Sequence, residues 1–394
     1  MKKILLALIM IVNLALFAQK DQLKTLKKIQ EKEMPTASDI EKYKEALSIL
    51  KSNATLEEDI IYYNFYKAML PTTILAAKGP KAPVLEYQKI LTPDAIKEYV
   101  KVTNETIAFE TKTGKKLVTD AILQKTATIK PIIRNAALDY NEKKKYEEGY
   151  QLFYALYLLD KTDGSNLENA AILAIQSQNY SDAIVFYEEV LQSDYLLNGV
   201  VYYAVNKATG QEEIMPSRAT RSDFINKFST HEKPRDEKNI LKKPGYSKTL
   251  AFLLDQTNQT DKAKIAYKNA KELAPDDLEL LSSEASLYYK LKDFDTYTSL
   301  MQELVEKNPN DASLRFNLGY ILLKDDQPLV DEINKNLKDI KKYETLIAKR
   351  KQIYTKALPH LEKAFEINPN LTDLKPILKL TYQVLEMKDK AANL

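Results

Sequence analysis

The sequence predicts an all-α protein: a helical solenoid of stacked helix pairs, interrupted by a small β-hairpin insertion and by one elongated helical hairpin. Three observations lead there. Small and large apolar residues recur with a 34-residue period over the carboxyl-terminal two thirds, the signature of a repeat array. The 394 residues hold only 8 Gly, about 2% where about 7% is usual, which disfavours turn-rich strand folds and phosphate-cradling loops. There is no Cys and no Trp, so disulfides, thiolate metal sites, thiol nucleophiles and a lipid-modified cysteine are excluded.

The chain opens with Met1-Lys2-Lys3, an apolar run from Ile4 to Phe17 broken only by Asn13, and the small Ala18 before Gln19-Lys20-Asp21. This is the layout of a cleavable export signal cut after Ala18, and the run is too short for a bilayer span of roughly 20 residues. The expectation is a periplasmic or secreted chain that is not a lipoprotein and is not inserted in a membrane once cleaved. Its 58 Lys and Arg nearly balance 55 Asp and Glu, so bulk attraction to nucleic acid is not expected.

In the first third, Thr36 or Ser38 is expected to cap a helix to about Lys51, with Tyr43, Ala46, Leu47 and Leu50 on one face. Asn53 or Thr55 is expected to cap a second, whose Ile60, Ile61, Tyr63, Tyr66, Met69 and Leu70 form a dense apolar face. These read as degenerate repeats. Gly79-Pro80, Pro83 and Pro93 then mark a loop-rich stretch, Lys112 to Lys116 a turn around Gly114, and a boundary is expected before Pro131.

The regular repeats begin there. Ile133, Ala136, Ala137 and Tyr140, then Tyr146, Gly149, Phe153 and Leu156, give the first helix pair. One period on, Leu167, Ala170, Ala171, Ala174, Tyr180, Ala183 and Tyr187 give the second. After 46 extra residues the third carries Leu250, Ala251, Leu254, Ala263, Tyr267, Ala270 and Pro275. The fourth carries Leu281, Ala285, Tyr288, Phe294, Leu304 and Pro309, with Tyr297 where a small residue is expected. A fifth opens with Leu318, Gly319 and Leu322, slips by 26 residues, and resumes with Ala357, Leu361, Ala364 and Pro369. Leu378, Tyr382 and Ala391, among Lys375, Lys379, Lys388 and Lys390, read as a polar cap on the end of the array.

On these residues the chain resembles the tetratricopeptide-repeat family over about 130–394, and more narrowly the secreted members from Bacteroidetes-type bacteria, although the Trp that usually opens each repeat is absent. Tyr202-Tyr203-Ala204-Val205-Asn206-Lys207-Ala208-Thr209-Gly210, leading to Lys233-Pro234-Arg235-Asp236-Glu237, and Lys356-Ala357-Leu358-Pro359-His360-Leu361-Glu362-Lys363-Ala364 are similar to stretches of that group. The resemblance implies a right-handed solenoid of the tetratricopeptide type and a non-catalytic interaction scaffold that binds one or more proteins or peptides. The expected division is an export signal (1–18), an N-terminal helical region (19–130), repeats 1 and 2 (131–197), an insertion (198–243), repeats 3 and 4 (244–310), repeat 5 with its elongated hairpin (311–370) and a capping helix (371–394).

Within the first insertion, Val200 to Val205 is β-branched and aromatic, Asn206 to Gly210 holds turn formers, and Gln211 to Met215 is the returning strand of a β-hairpin. Arg218, Arg221 and Arg235 follow, three of the six Arg in the chain. Arg is a rigid fork for carboxylate or phosphate, so these three either bind a partner or pair with Glu212, Glu213, Asp223, Glu232, Asp236 and Glu237 to pin the insertion onto the stack. In the second, Ile333, Ile340, Ile347 and Tyr354 are seven residues apart, with Val330 and Leu337 beside them, the spacing of a helical hairpin that projects from the stack as a strut or a docking arm. Asp325 to Pro328 is expected to interrupt or restart a helix and Pro359 to kink one.

Enzyme motifs are missing. Gly114-Lys115-Lys116 lacks the rest of a phosphate loop, and His231 and His360 have no companions at metal-ligand spacing, so no cofactor and no metal are expected. His360 lies beside Leu361 on a packing face and reads as structural. The acidic pairs Glu57-Glu58 and Asp276-Asp277 fall at predicted helix starts, where they complement the helix dipole. Tyr outnumbers Phe, 25 to 11, and most tyrosines fall on packing positions. Positions 5, 9 and 12 of each first helix are expected to line a concave groove, and there stand Arg134, Lys248, Phe252, Tyr289, Phe316 and Tyr320. Rings with cations suit an extended peptide or a partner helix, and recognition of a chain-terminal carboxylate is disfavoured because Phe252 and Phe316 stand where polar residues are expected. The alternative is a glycan or peptidoglycan binder whose tyrosines stack on sugar rings.

Overall fold

The computed structural model describes residues 19–79 and 84–394. The expected export signal, 1–18, and residues 80–83 of the expected loop-rich stretch lie outside them. The described chain is helical apart from one small sheet, and divides along the sequence into two compact units, the first ending at Lys242 and the second beginning at Lys243.

The first unit starts with a helical segment α1 (19–30), then α2 (Ala37–Asn53) and α3 (Glu57–Ala77) as an antiparallel pair. Thr36 caps α2 in a reciprocal box with Asp39, and Tyr43, Ala46, Leu47 and Leu50 are buried as expected. Neither Asn53 nor Thr55 caps α3. Asn53 is still the last residue of α2, and the Asp59 carboxylate instead reaches back to accept from the Thr55 and Leu56 N–H groups. The buried face of α3 is also rotated from the expected one: Ile61, Phe65, Tyr66 and Met69 are inside and Ile60 is exposed.

A short α4 (Val84–Ile90) leads to α5 (Pro93–Thr113) and α6 (Thr119–Glu142). Pro93 therefore begins a helix instead of marking a loop. It occupies the first turn, where its missing N–H costs nothing, and Thr92 caps that turn. Gly114 ends α5 in the left-handed conformation, the expected turn. The two N-terminal pairs share a device: Tyr43 donates to the Tyr66 carbonyl and Tyr99 to the Ile122 carbonyl, each 23 residues on. The boundary expected at Pro131 falls inside α6, which runs through that residue unbroken.

The first repeat pairs α6 with α7 (Tyr146–Leu159), and the second pairs α8 (Ser165–Gln176) with α9 (Tyr180–Gln192). Ala137, Ala170, Ala171, Ala174 and Ala183 are all at most 1% exposed. In the second unit, α12 (Lys243–Gln256) pairs with α13 (Thr260–Leu273) and α14 (Leu278–Lys290) with α15 (Phe294–Lys307). Ala251, Ala263, Ala270 and Ala285 are buried in their turn. These notches bring two backbones close, and the large apolar residues between them fill the gaps.

The backbone carries the same register. Lys144, Gln178, Asn258, Lys292 and Glu386 all have φ between 57° and 62° and sit in the turn inside a helix pair. In each case the next residue donates its N–H to a carbonyl five residues earlier, for example Lys145 to Tyr140 and Asp293 to Tyr288. This closes the helix by the Schellman pattern. Positions 144 and 178, and 258 and 292, are one period apart, and the larger gaps contain the two insertions.

Between α9 and α12 lies the first insertion. After α10 (Asp194–Asn198), β1 (Val200–Asn206) and β2 (Glu212–Met215) form the expected hairpin. The sheet has a third strand, β3 (His231–Lys238), on the other side of β1, and a helix α11 (Arg218–Asn226) between β2 and β3. One turn of 3₁₀ helix (Asn239–Lys242) follows. The insertion is fastened to α8 through Glu168, which accepts from Tyr195 at 2.7 Å and Lys242 at 2.9 Å.

The fifth repeat departs from a simple elongated hairpin. α16 (Ala312–Ile321) stops, α17 (Asp326–Lys335) restarts at the expected place, and α18 (Ile340–Ile367) runs for 28 residues through Pro359. The seven-residue spacing holds only at its ends. Ile333 and Tyr354 are buried, but Leu346 replaces Ile347 inside, while Leu337 and Ile340 are at the tip in solvent. A carboxylate clamp holds the base: Asp326 accepts from Arg350 Nε at 2.6 Å and from the Tyr354 hydroxyl at 2.7 Å. α19 (Leu374–Val384) and α20 (Lys388–Ala392) pack Leu378, Tyr382 and Ala391 on the end of this unit.

Candidate binding groove

The residues expected to bind do not act as one group. Arg134, in the first unit, donates to Asp163 at 2.5 Å. Lys248, in the second, donates to Asp277 at 2.9 Å and Glu279 at 2.8 Å, and these bonds raise its pKa. Both cations occupy position 5 of a first helix and both reach an Asp 29 residues on, near the start of the next first helix. They tie one repeat to the next.

Three of the aromatic members share a cavity, Tyr289 and Tyr320 exposed and Phe316 half-buried against the core of α18 and α19. Tyr289 on α14 and Phe316 and Tyr320 on α16 line an open groove of about 590 Å³ in the second unit, with Tyr297 of α15 and Ile377 of α19. Tyr289 is 53% and Tyr320 56% exposed. Phe316 stacks against Tyr320 at 6.0 Å, and Tyr289 lies 5.2 Å from Tyr297. Burial pushes the Tyr297 phenol upward in pKa, with Tyr289 adding to it. Polar groups stand at the rim: Ser286, Asn317 and Asp373, and Lys290, which is bonded to Asp255 at 3.1 Å. Phe252 is 48% exposed one repeat earlier, outside this cavity.

Tyr297 is the residue that breaks the small-residue rule of helix packing, and that departure places a ring in the groove. Ile377 lies on the helix expected only to cap the array. Position 9 also supplies exposed apolar residues that are neither aromatic nor cationic, Leu138 and Ile172 in the first unit. They stand in the register of Phe252 and Tyr320, and that register was the signal for finding them.

The arginine cluster is largely engaged within the insertion. Arg221 is 6% exposed and one of its terminal nitrogens reaches Asp236 at 2.6 Å and the Arg235 carbonyl at 2.8 Å. Arg235 grips Glu212 with two nitrogens at 2.9 and 2.8 Å, pairs with Glu237, and lies 4.0 Å over the Tyr203 ring. Arg221 thus ties α11 to β1 and β3 and Arg235 ties β3 to Glu212 of β2, while Lys242 and Tyr195 make the bonds to α8. Arg218 is exposed. His231 is 4% exposed, bonded to Glu213 at 3.0 Å and Thr230 at 2.9 Å, and locks β3 to β2 across β1. Among the described residues no cluster of His, Asp and Glu could hold a metal ion.

A second aromatic surface lies in the first unit, between α5, α7 and α9, about 660 Å³ in volume. Tyr154 and Phe186 lie 4.4 Å apart there. Tyr150 donates to Asp182 at 2.7 Å, and burial followed by that carboxylate pushes its pKa up to about 12.

No protein-family model and no curated protein matches the sequence. Among solved structures, the chain is similar to a MamA double mutant from RS-1 (14% identity, TM-score 0.34, covering 61% of this chain and 94% of that one). It is also similar to YrrB, described as a TPR protein with an unusual peptide-binding site (16%, TM-score 0.34, 70% and 98%). A human IFIT1 dimer with m7Gppp-AAAA aligns more broadly and more loosely (11%, TM-score 0.28, 95% and 71%). At these scores the likenesses carry no functional weight, and the fold assignment rests on the repeat geometry above.

Proposed function

We propose that the protein is a non-catalytic scaffold that holds a protein or peptide segment in the groove between α14, α16 and α19, and that it works outside the cytoplasm in cell-envelope assembly or secretion. One observation carries the binding role: Tyr289, Phe316 and Tyr320 line one open cavity, while Lys290, the cation among its lining residues, is held by Asp255 of the chain itself. Such a groove favours an apolar or aromatic segment over an acidic one, because rings bury area at low entropy cost and their hydroxyls still offer hydrogen bonds. The extracytoplasmic setting rests on the Met1–Ala18 pattern and on the resemblance to secreted repeat proteins.

Crosslinked pull-down with the wild type and with Tyr289→Ala/Tyr320→Ala tests this. Loss of specific partners from the double variant supports it. Equal recovery counts against the groove, and retention of the purified protein on cell-wall glycan without other proteins points to the sugar-binding alternative.

A further inference from the structure

The tip of the α17–α18 hairpin is unlike the rest of the surface. From 334 to 345 no residue is buried, so this segment stands clear of the packed unit below it. Leu337 is 62% and Ile340 72% exposed. Around them stand Lys335, Lys338, Lys341 and Lys342, all exposed, against two acidic residues in 334–345, Asp339 and Glu344. Among the described residues Lys335, Lys338 and Lys341 make no ion pair, whereas Lys342 pairs with Glu332 at 3.4 Å. The tip is nonetheless ordered: Asp339 caps α18 by accepting from the Lys342 N–H at 3.0 Å, and Asn336 donates to the Glu332 carbonyl at 2.7 Å.

We propose that this tip is a contact site for an anionic lipid surface. Two apolar side chains flanked by unpaired lysines match an interface of headgroup and acyl chain, where apolar groups enter shallowly and ammonium groups stay among anionic headgroups. A convex turn with only two apolar side chains does not offer the roughly 1,200 Å² that a specific protein partner requires. The near-neutral charge of the whole chain does not oppose this, since attraction at a membrane falls off within a Debye length and is set by the local cluster.

The test is sedimentation of the full chain with vesicles of phosphatidylcholine alone and of phosphatidylcholine containing a quarter phosphatidylglycerol. Each lysine at an anionic surface raises partitioning about fivefold. Binding is expected only to the anionic vesicles, and Lys335→Glu/Lys338→Glu/Lys341→Glu is expected to weaken it by at least about a hundredfold with an unchanged melting curve. Because the chain has no Trp, Leu337→Trp places a single indole at the tip, and its emission is expected to shift to the blue with the anionic vesicles. Absence of wild-type binding, equal binding by the charge-reversed variant, or an unshifted indole overturns the proposal. Binding to an acidic polypeptide such as polyglutamate without vesicle binding also overturns it, in favour of a protein contact.

Discussion

Gly319 and Leu361 touch so closely that a methyl group on Gly319 would stand 2.7 Å from Cδ2 and 2.8 Å from Cγ of Leu361. Leu361 is fully buried in the core of α18 and α19, so moving its side chain disturbs that packing. α16 and α18 pack on each other at this contact, on either side of the 26-residue slip. Gly319→Ala is therefore expected to destabilise by about 1–3 kcal/mol. Gly245→Ala, in a helix with nothing within 4 Å of the new carbon, is expected to be neutral or to stabilise by up to about 1 kcal/mol. Opposite shifts in denaturant midpoint are the signature.

Lys292 holds φ at 59° in the α14–α15 turn, a conformation that suits glycine. Lys292→Gly is expected to gain about 0.5 kcal/mol and Lys292→Val to lose more than 1 kcal/mol. Urea titration of the three proteins orders them, and a Val variant as stable as the wild type would remove the left-handed turn from the account.

Arg221 and Arg218 lie on the same short helix with different surroundings. Arg221→Ala leaves Asp236 and two strand carbonyls without their buried donor, at an expected cost of about 2 kcal/mol. Arg218→Ala, on the exposed side, is expected to stay within about 0.5 kcal/mol. Thermal melts of the two variants separate a structural cluster from a partner site.

His360 has a lowered pKa, first through burial and then through the positive charge of Arg315. The folded state therefore holds its proton less tightly than the unfolded state, whose value is about 6.5. Stability from this group is complete above that value and declines as pH falls toward the lowered folded value. Melting temperature is expected to fall over that acidic window more steeply in the wild type than in His360→Gln. Parallel profiles would show that His360 does not contribute.

The helix pairs were legible because they depend on spacing: an alanine at a fixed place on two facing helices is a packing requirement, and Ala137, Ala171, Ala251 and Ala285 all satisfy it. The β1–β2 hairpin was legible because Val200–Val205 is β-branched and aromatic. β3 was not, since His231–Lys238 is charged and contains Pro234, a composition tolerated only on an edge strand. The cavity was half legible. Tyr289, Phe316 and Tyr320 follow from register, but Tyr297 and Ile377 come from elements that register assigned to packing and capping. Arg134 and Lys248 looked available because sequence shows charge and not the carboxylate 29 residues away that holds it.

A partner segment held in the groove would lie within reach of Tyr289 and Tyr320, which line it. A photo-crosslinking residue placed in living cells at position 320, at 289, and at the equally exposed Ile265 of α13 reports this directly. A discrete set of protein adducts is expected at 320 and 289 and is expected to be absent at 265. No adduct at the two groove positions, or the same adducts at all three, would contradict binding in the groove.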